Sequence, residues 1–243
     1  MRKPQGAVPR GAGWSVVESS PRGFRKLLGD VDADVCVVGG SVAGFTAATR
    51  LAGRGYVVAL VESGPIGASI PDAGLGLVTA GFPETLDAII ARAGVARARA
   101  LWALSAEGVA EVRAVLADGQ GAAVPAGQLT LWQDAGAETV EIASRRAAQL
   151  RYFGADAQAR TAAQVSAALR GVAGAPGVHR ADAFSVNPHD YMRLLVARAE
   201  EAGVRIFENA GLAMMDVNGV RKHVIGQAGQ VRAAHIVLAA GGE

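Results

Sequence analysis

Hydrophobic and polar positions change their period several times along the chain, and each change marks an element. From Asp34 the run DVCVVGG is short, apolar and β-branched, and it ends in Gly39 and Gly40. That pattern predicts a strand buried on both faces. SVAGFTAATRLAGRG follows with apolar residues at Val42, Phe45, Ala48, Leu51 and Ala52, the spacing of a helix, and Gly55 is placed to stop it. YVVALVE reads as a second buried strand. The three pieces make a βαβ unit of about 30 residues.

Downstream, Ser63–Gly81 is a glycine-rich loop, and residues 83–119 read as helical with an interruption near Gly94. LTLW at 129–132 predicts a strand, and residues 138–170 look mostly helical. Asn187-Pro188-His189-Asp190 is a helix start: Asn187 can cap, Pro188 suits the first helical position, and Asp190 favours the positive helix end. Tyr191, Leu194, Leu195 and Ala199 then form an apolar stripe that ends at Gly203. VRIFEN predicts a strand, MMDVNGVRKHVI a hairpin about Asn218-Gly219, and HIVLAAGG a last buried strand. Alternating strands and helices imply a parallel sheet, here with antiparallel strands attached.

Composition narrows the classes. With 51% hydrophobic and 19% charged residues among 243, the chain can bury a core and is not of disordered type. Mean hydropathy is positive, yet no apolar run approaches the roughly 18 residues of a membrane-spanning helix, so no membrane is expected. The start MRKPQGAVPRGAG is basic without an apolar stretch and predicts no secretory signal. One cysteine, Cys36, excludes an internal disulfide framework, and a cytoplasmic, soluble protein is expected. Net charge is +2, and the basic clusters in the first 26 residues and around Arg145, Arg146 and Arg151 lack interleaved aromatics. They read as solvated surface, with no nucleic acid as partner.

The chemistry concentrates at the first strand–helix junction. A strand that feeds glycines into a helix aims backbone N–H groups and the positive helix end at one spot, which suits a pyrophosphate. Gly39 permits the tight turn and Gly44 lets helix and strand approach. Ser41 stands where the middle glycine of GxGxxG is usual; its Cβ narrows the approach, and its hydroxyl is able to donate to a phosphate. Glu62 closes the second strand 23 residues after Gly39, where a carboxylate can accept bonds from ribose hydroxyls. Cys36, inside a strand, reads as an inert buried thiol. His189 reads as a first-turn surface residue, and His179, His223 and His235 are too scattered for a metal site.

DVCVVGGSVAGFTAATRLAGRGYVVALVES resembles the FAD fingerprint of the D-amino-acid oxidase-like superfamily, which includes glycine oxidase, sarcosine oxidase and gamma-glutamylputrescine oxidoreductase. PIGASIPDAGLGLVTAGF is similar to the family's loop in which Gly-Ala-Ser follows the ribose carboxylate. FSVNPHDYMRLLVARAEEAGVRIFENAGLAMMDV and VRAAHIVLAAGG match its helix, strand, hairpin and return strand. The likeness runs from about Ala33 to Gly242 and is weakest between Pro83 and Gly177. It implies FAD as cofactor, with Gly39, Gly40, Ser41 and Gly44 at the pyrophosphate and Glu62 and Ser63 on the adenosine side. Ala68 and Ser69 would touch phosphate or ribitol, the Leu212 backbone the adenine, and Ala240 and Gly241 the cofactor. After Gly-Ala-Ser this chain has Ile70-Pro71-Asp72-Ala73, where gamma-glutamylputrescine oxidoreductase-like members often read Gly-Arg-Asn-Gly.

The expected fold is therefore α/β: an FAD-binding Rossmann-like parallel sheet with attached antiparallel strands and a partial helical or substrate insertion. Residues 1–30 would be an irregular arm, 31–82 and 178–243 the FAD-binding domain, and 83–177 the partial substrate domain. The resemblance implies oxidation of a C–N bond in a small amine or amino acid, by hydride transfer to the flavin. It assigns no catalytic acid or base. Family members continue past the LAAGG strand, so a truncated chain is expected, or a flavin-binding subunit that needs a partner chain or self-associates through exposed edges. An NAD-dependent dehydrogenase fits less well, given the long glycine loop after Glu62 and the late return strand.

Overall fold

A computed structural model describes residues 23–67, 76–119, 121, 123, 127–132, 137–169 and 175–240. The chain condenses into two compact units, Met1–Gly74 with Asn187–Glu243, and Leu75–Val186. The first opens with β1 (Gly29–Val38), α1 (Val42–Ala52) and β2 (Val58–Val61). All four side chains of β2 are buried, as are Cys36, Val37 and Val38 of β1, because helices and neighbouring strands cover both faces. Helix α1 buries Gly44, Phe45 and Ala48, and it ends at Ala52 rather than at Gly55. Gly53 caps it in a right-handed conformation. Gly55 is the left-handed residue, at φ 90°, and its N–H donates to Ala52 O at 2.9 Å.

The second unit holds β3 (Leu77–Val78), α2 (Leu86–Asp118), β4 (Gln128–Leu131), α3 (Ala137–Tyr152), β5 (Ala157–Arg160), α4 (Ala162–Ala168), β6 (Gly177–Arg180) and β7 (Phe184–Ser185). Strands β3 and β7 pair antiparallel, and β4-β6-β5 form an antiparallel sheet. Helix α2 is broken at Gly94, whose φ of 78° and ψ of 161° are not helical, so the predicted interruption is a real bend. Strand β5 corrects the helical expectation for 138–170. Its residues AQAR carry no β-branched side chain, and the extended state comes from pairing to β6 across Ala157↔Arg180 through Arg160↔Gly177. A core of Trp102, Leu86, Ile89, Leu150 and Phe153, with small alanines between them, holds this unit together.

The chain returns to the first unit through α5 (Pro188–Glu201), β8 (Arg205–Phe207), β9 (Met214–Asp216), β10 (Lys222–Ile225) and β11 (Gly229–Leu238). Asn187 caps α5, its Oδ1 accepting from His189 N at 3.0 Å, with Pro188 in the first turn. Tyr191, Met192, Leu195 and Ala199 are buried while Leu194 is half-buried, a stripe turned slightly from the predicted one, and α5 packs beside α1. The six-stranded sheet runs β8-β2-β1-β11-β10-β9, parallel from β8 through β11 and antiparallel beyond. The hairpin is real, but its last pair is Asp216↔His223, so a longer loop than the two residues Asn218-Gly219 connects the strands. Strand β11 begins earlier than predicted and is not buried to its end, where Leu238 is 65% exposed. The reason lies in the register: β10 pairs only with Gln230–Ala233, so among the described residues the last half of β11 has β1 as its one partner.

The site at the head of the parallel sheet

The parallel strands β1, β2 and β11 all end at one edge, in register at Val38↔Val61 and Val38↔Leu238. The turn from β1 into α1 leaves that edge at Gly39, whose φ is 112°. A Cβ on Gly39 would lie 2.5 Å from Ala239 O and 2.7 Å from Ala240 N, so β11's exit crosses directly against the turn. A Cβ on Gly44 would lie 2.0 Å from Gly39 O and 3.4 Å from Ala239 Cβ. Glycine at both positions follows from this crowding.

Ser41 is the N-cap of α1. Its Oγ accepts from Gly44 N at 3.1 Å and donates to Ala239 O at 2.6 Å. The hydroxyl proton offered above to a phosphate is directed instead at Ala239, so the serine ties the helix start to β11. Among the first amides of α1, Gly44 N is taken by Ser41 Oγ and Phe45 N by Ser41 O. Those of Val42 and Ala43 have no intrahelical acceptor, which leaves them for an anion at the positive helix end.

Glu62 stands at the end of β2. Oε2 accepts from Gly40 N at 2.7 Å, and Oε1 accepts from Ser63 Oγ at 2.9 Å and Gly64 N at 3.1 Å. Half-burial is the largest single influence on its pKa and raises it. The hydrogen bonds from Gly40, Gly64 and Ser63 together outweigh that and hold the carboxyl below its ordinary value, so it is ionised. A carboxylate has about four acceptor positions, and three are filled. One ribose hydroxyl can be accepted with no rearrangement, and a second by rotating Ser63 Oγ away.

The segment after β8 is drawn to the same place. Ala210 N donates to Glu62 O at 3.0 Å and Asn209 N to Gly64 O at 3.0 Å, with Asn209 at φ 50°. Two residues on, half-buried Leu212 packs against the core that contains Val61, Phe207 and Ala210. Gly39, Gly40, Ser41, Gly44, Glu62 and Ser63 are thus gathered, with Leu212 and exposed Ala240 beside them. Ala68, Ser69 and Gly241 lie outside the described residues. Sequence reasoning missed two members. Ala239 acts only through its carbonyl, which leaves no trace in residue type. Glu208 accepts from Phe24 N at 2.9 Å and Ile66 N at 3.2 Å, anchoring the loop that follows Glu62; its one signal was a carboxylate at the close of the predicted strand VRIFEN. Cys36 is fully buried, and that burial pushes its thiol up to about 12, which leaves it inert.

The described part of this site fits a dinucleotide: two free amides and a helix end for phosphate, a carboxylate with acceptor capacity for ribose, and a turn without side chains in the approach. The described residues contain no group of three potential metal ligands, and no helix among them is long and apolar enough to cross a membrane.

The fold is shared with solved structures. Glycine oxidase from Geobacillus kaustophilus is 23% identical with a TM-score of 0.67, over 87% of this chain and 56% of that one. L-Amino acid deaminase from Proteus myxofaciens, solved in complex with anthranilate, is 18% identical with a TM-score of 0.71, over 92% and 49%. L-Proline dehydrogenase from P. horikoshii is 18% identical with a TM-score of 0.65, over 90% and 54%. The chain therefore spans about half the length of these structures. No curated protein matches it closely enough in sequence to count as a relative. Residues 34–243 match the family described as DAO, FAD dependent oxidoreductase, and over that stretch the glycine turn, Ser41, Glu62 and the crossing strand β11 all fall; the chain belongs to this family of FAD-dependent oxidoreductases.

Proposed function

We propose that this chain binds FAD at the head of its parallel sheet and serves the oxidation of a C–N bond in a small amine or amino acid. The observation that carries the cofactor half is Glu62: an ionised carboxylate fastened to Gly40 N at 2.7 Å, with acceptor capacity still open. Gly39, Gly40 and Gly44 would let the backbone approach the pyrophosphate, Val42 and Ala43 would donate to it, and Ser41 would hold the helix start in place. Glu62 would take the ribose with Ser63 as its adjustable neighbour, while the Leu212 backbone lies toward the adenine. Ala68, Ser69, Ala240 and Gly241 complete the proposed set. Bound there, FAD supplies a two-electron acceptor for the substrate carbon. The substrate half is supported by the solved relatives, an oxidase of glycine, a deaminase of L-amino acids and a dehydrogenase of L-proline.

A second reading is that the chain holds the dinucleotide and a partner chain supplies the groups that hold the substrate. Titration of the purified chain with FAD, followed by flavin fluorescence, tests the cofactor half. Glu62→Ala should weaken binding about 10- to 100-fold, the loss expected for a charge-assisted bond worth about 1.5–3 kcal/mol. An unchanged dissociation constant would remove Glu62 from the site. Anaerobic addition of D- and L-amino acids, sarcosine and polyamines then separates the readings. Bleaching of the flavin band supports the oxidoreductase alone, whereas bound but unresponsive flavin supports the subunit.

A further inference from the structure

The second unit contains a cavity of about 620 Å³, within the range of small-molecule sites, and every residue that lines it belongs to that unit. Helix α2 bends at Gly94, so that Leu86 and Asp87 of its first turn and Trp102 beyond the bend face the same space. Helix α3 presents Ile142, Arg145, Arg146, Gln149 and Leu150, the i, i+3, i+4 stripe of one helical face, and Trp132 closes another side. At the base, Arg180 is buried. Its Nε and Nη2 reach the Asp182 carboxylate at 3.1 and 2.5 Å, its Nη1 donates to Ala80 O, and the guanidinium lies 5.4 Å from the centre of the Trp102 ring.

Among the described residues, the charges around this cavity do not balance. Arg180 is neutralised by Asp182, and Glu84 by Arg92 through two bonds of 3.1 and 2.7 Å. Asp87 accepts from Gln149 Nε2 at 2.5 Å, and Gln149 Oε1 in turn accepts from Arg146 Nη1 at 2.7 Å. Arg145 has no hydrogen bond or ion pair among the described residues, and Arg146 is held only by the neutral Gln149. Among the described residues, two guanidinium groups thus face one remaining carboxylate.

We propose that this cavity is a binding site for an organic carboxylate with an aromatic or branched apolar body. Arg145 and Arg146 meet the carboxylate, because guanidinium groups offer paired donors that match its two oxygens. Trp102, Trp132, Ile142 and Leu150 enclose the apolar body. The excess of positive charge disfavours amines and metal cations, and the tryptophan walls disfavour a small inorganic anion.

Calorimetric titration of the full chain without added flavin reads this site apart from FAD binding, with 3-phenylpropionate as the probe. The acid should bind at least ten-fold more tightly than 3-phenylpropanol or 3-phenylpropylamine, and sulfate should not displace it. Arg145→Gln and Arg146→Gln should each weaken the acid about ten-fold while leaving the alcohol and the melting temperature as they were. Equal binding of acid and alcohol, tighter binding of the amine, or full affinity in both arginine variants would overturn the proposal.

Discussion

Gly44→Ala adds one methyl group at the closest approach of α1 to β1. The new Cβ would lie 2.0 Å from Gly39 O, whereas real Cβ atoms essentially never come within 3.0 Å, so the helix start must retreat by about 1 Å. It cannot slide sideways freely, since Ala239 Cβ is 3.4 Å from the same point. Overpacking of this kind costs about 1–3 kcal/mol. The retreat also breaks the 3.1 Å bond from Gly44 N to Ser41 Oγ, a cap worth about 1 kcal/mol. The total, about 2–4 kcal/mol, should lower the melting temperature by about 4–16 °C in a chain of this size. Because the same retreat carries the Val42 and Ala43 amides away from the turn, FAD affinity should fall by about 10-fold or more, equivalent to one lost charge-assisted bond. Thermal denaturation by circular dichroism and flavin titration measure the two effects. Gly108→Ala is the control: a Cβ there meets nothing within 4 Å on exposed α2, so it should stabilise by about 0.5–1 kcal/mol. If Gly44→Ala melted with the parent chain and kept its flavin affinity, the placement of α1 against Gly39 would be refuted.

Ser41→Ala should cost about 1–2 kcal/mol in urea denaturation, because it removes both the cap on Gly44 N and the donor to Ala239 O; an unchanged midpoint would show that the tie to β11 is unimportant. Glu62 has a lowered pKa in the folded chain, so its contribution to stability is fully present above its ordinary value of 4.5 and is lost as pH falls through the lower folded value. The difference in stability between the parent and Glu62→Gln should therefore be flat above about pH 4.5 and should shrink below it, as read from denaturation midpoints across that range. Cys36, raised to about 12 by burial, should resist a thiol reagent at pH 8 in the folded chain and react fully in denaturant; rapid native labelling would show that β1 is not covered. The same shift makes its contribution to stability present below its ordinary value of 9.0 and lost as pH climbs toward 12.

What the sequence determined by itself was local. Gly39, Gly44 and Glu62 define a strand, a helix and a second strand within one stretch of chain, and apolar period, cap and glycine are enough to write that unit down. Asn187-Pro188 and the bend at Gly94 were legible for the same reason, since each acts on its immediate neighbours. The tertiary structure decided whatever depends on partners remote in the chain. Nothing in AQAR encodes a strand, and β5 exists because β6 offers it a ladder. Nothing near Ser41 announces that its hydroxyl will be taken by Ala239, 198 residues away, and so withdrawn from a phosphate. The exposure of Leu238 depends on where β10 stops, and the unbalanced arginines of the second unit become a site only when the bend in α2 brings Asp87 and Trp102 to face α3. Backbone carbonyls, registers and charge balance are properties of what stands opposite a residue, and a one-dimensional pattern records only what stands beside it.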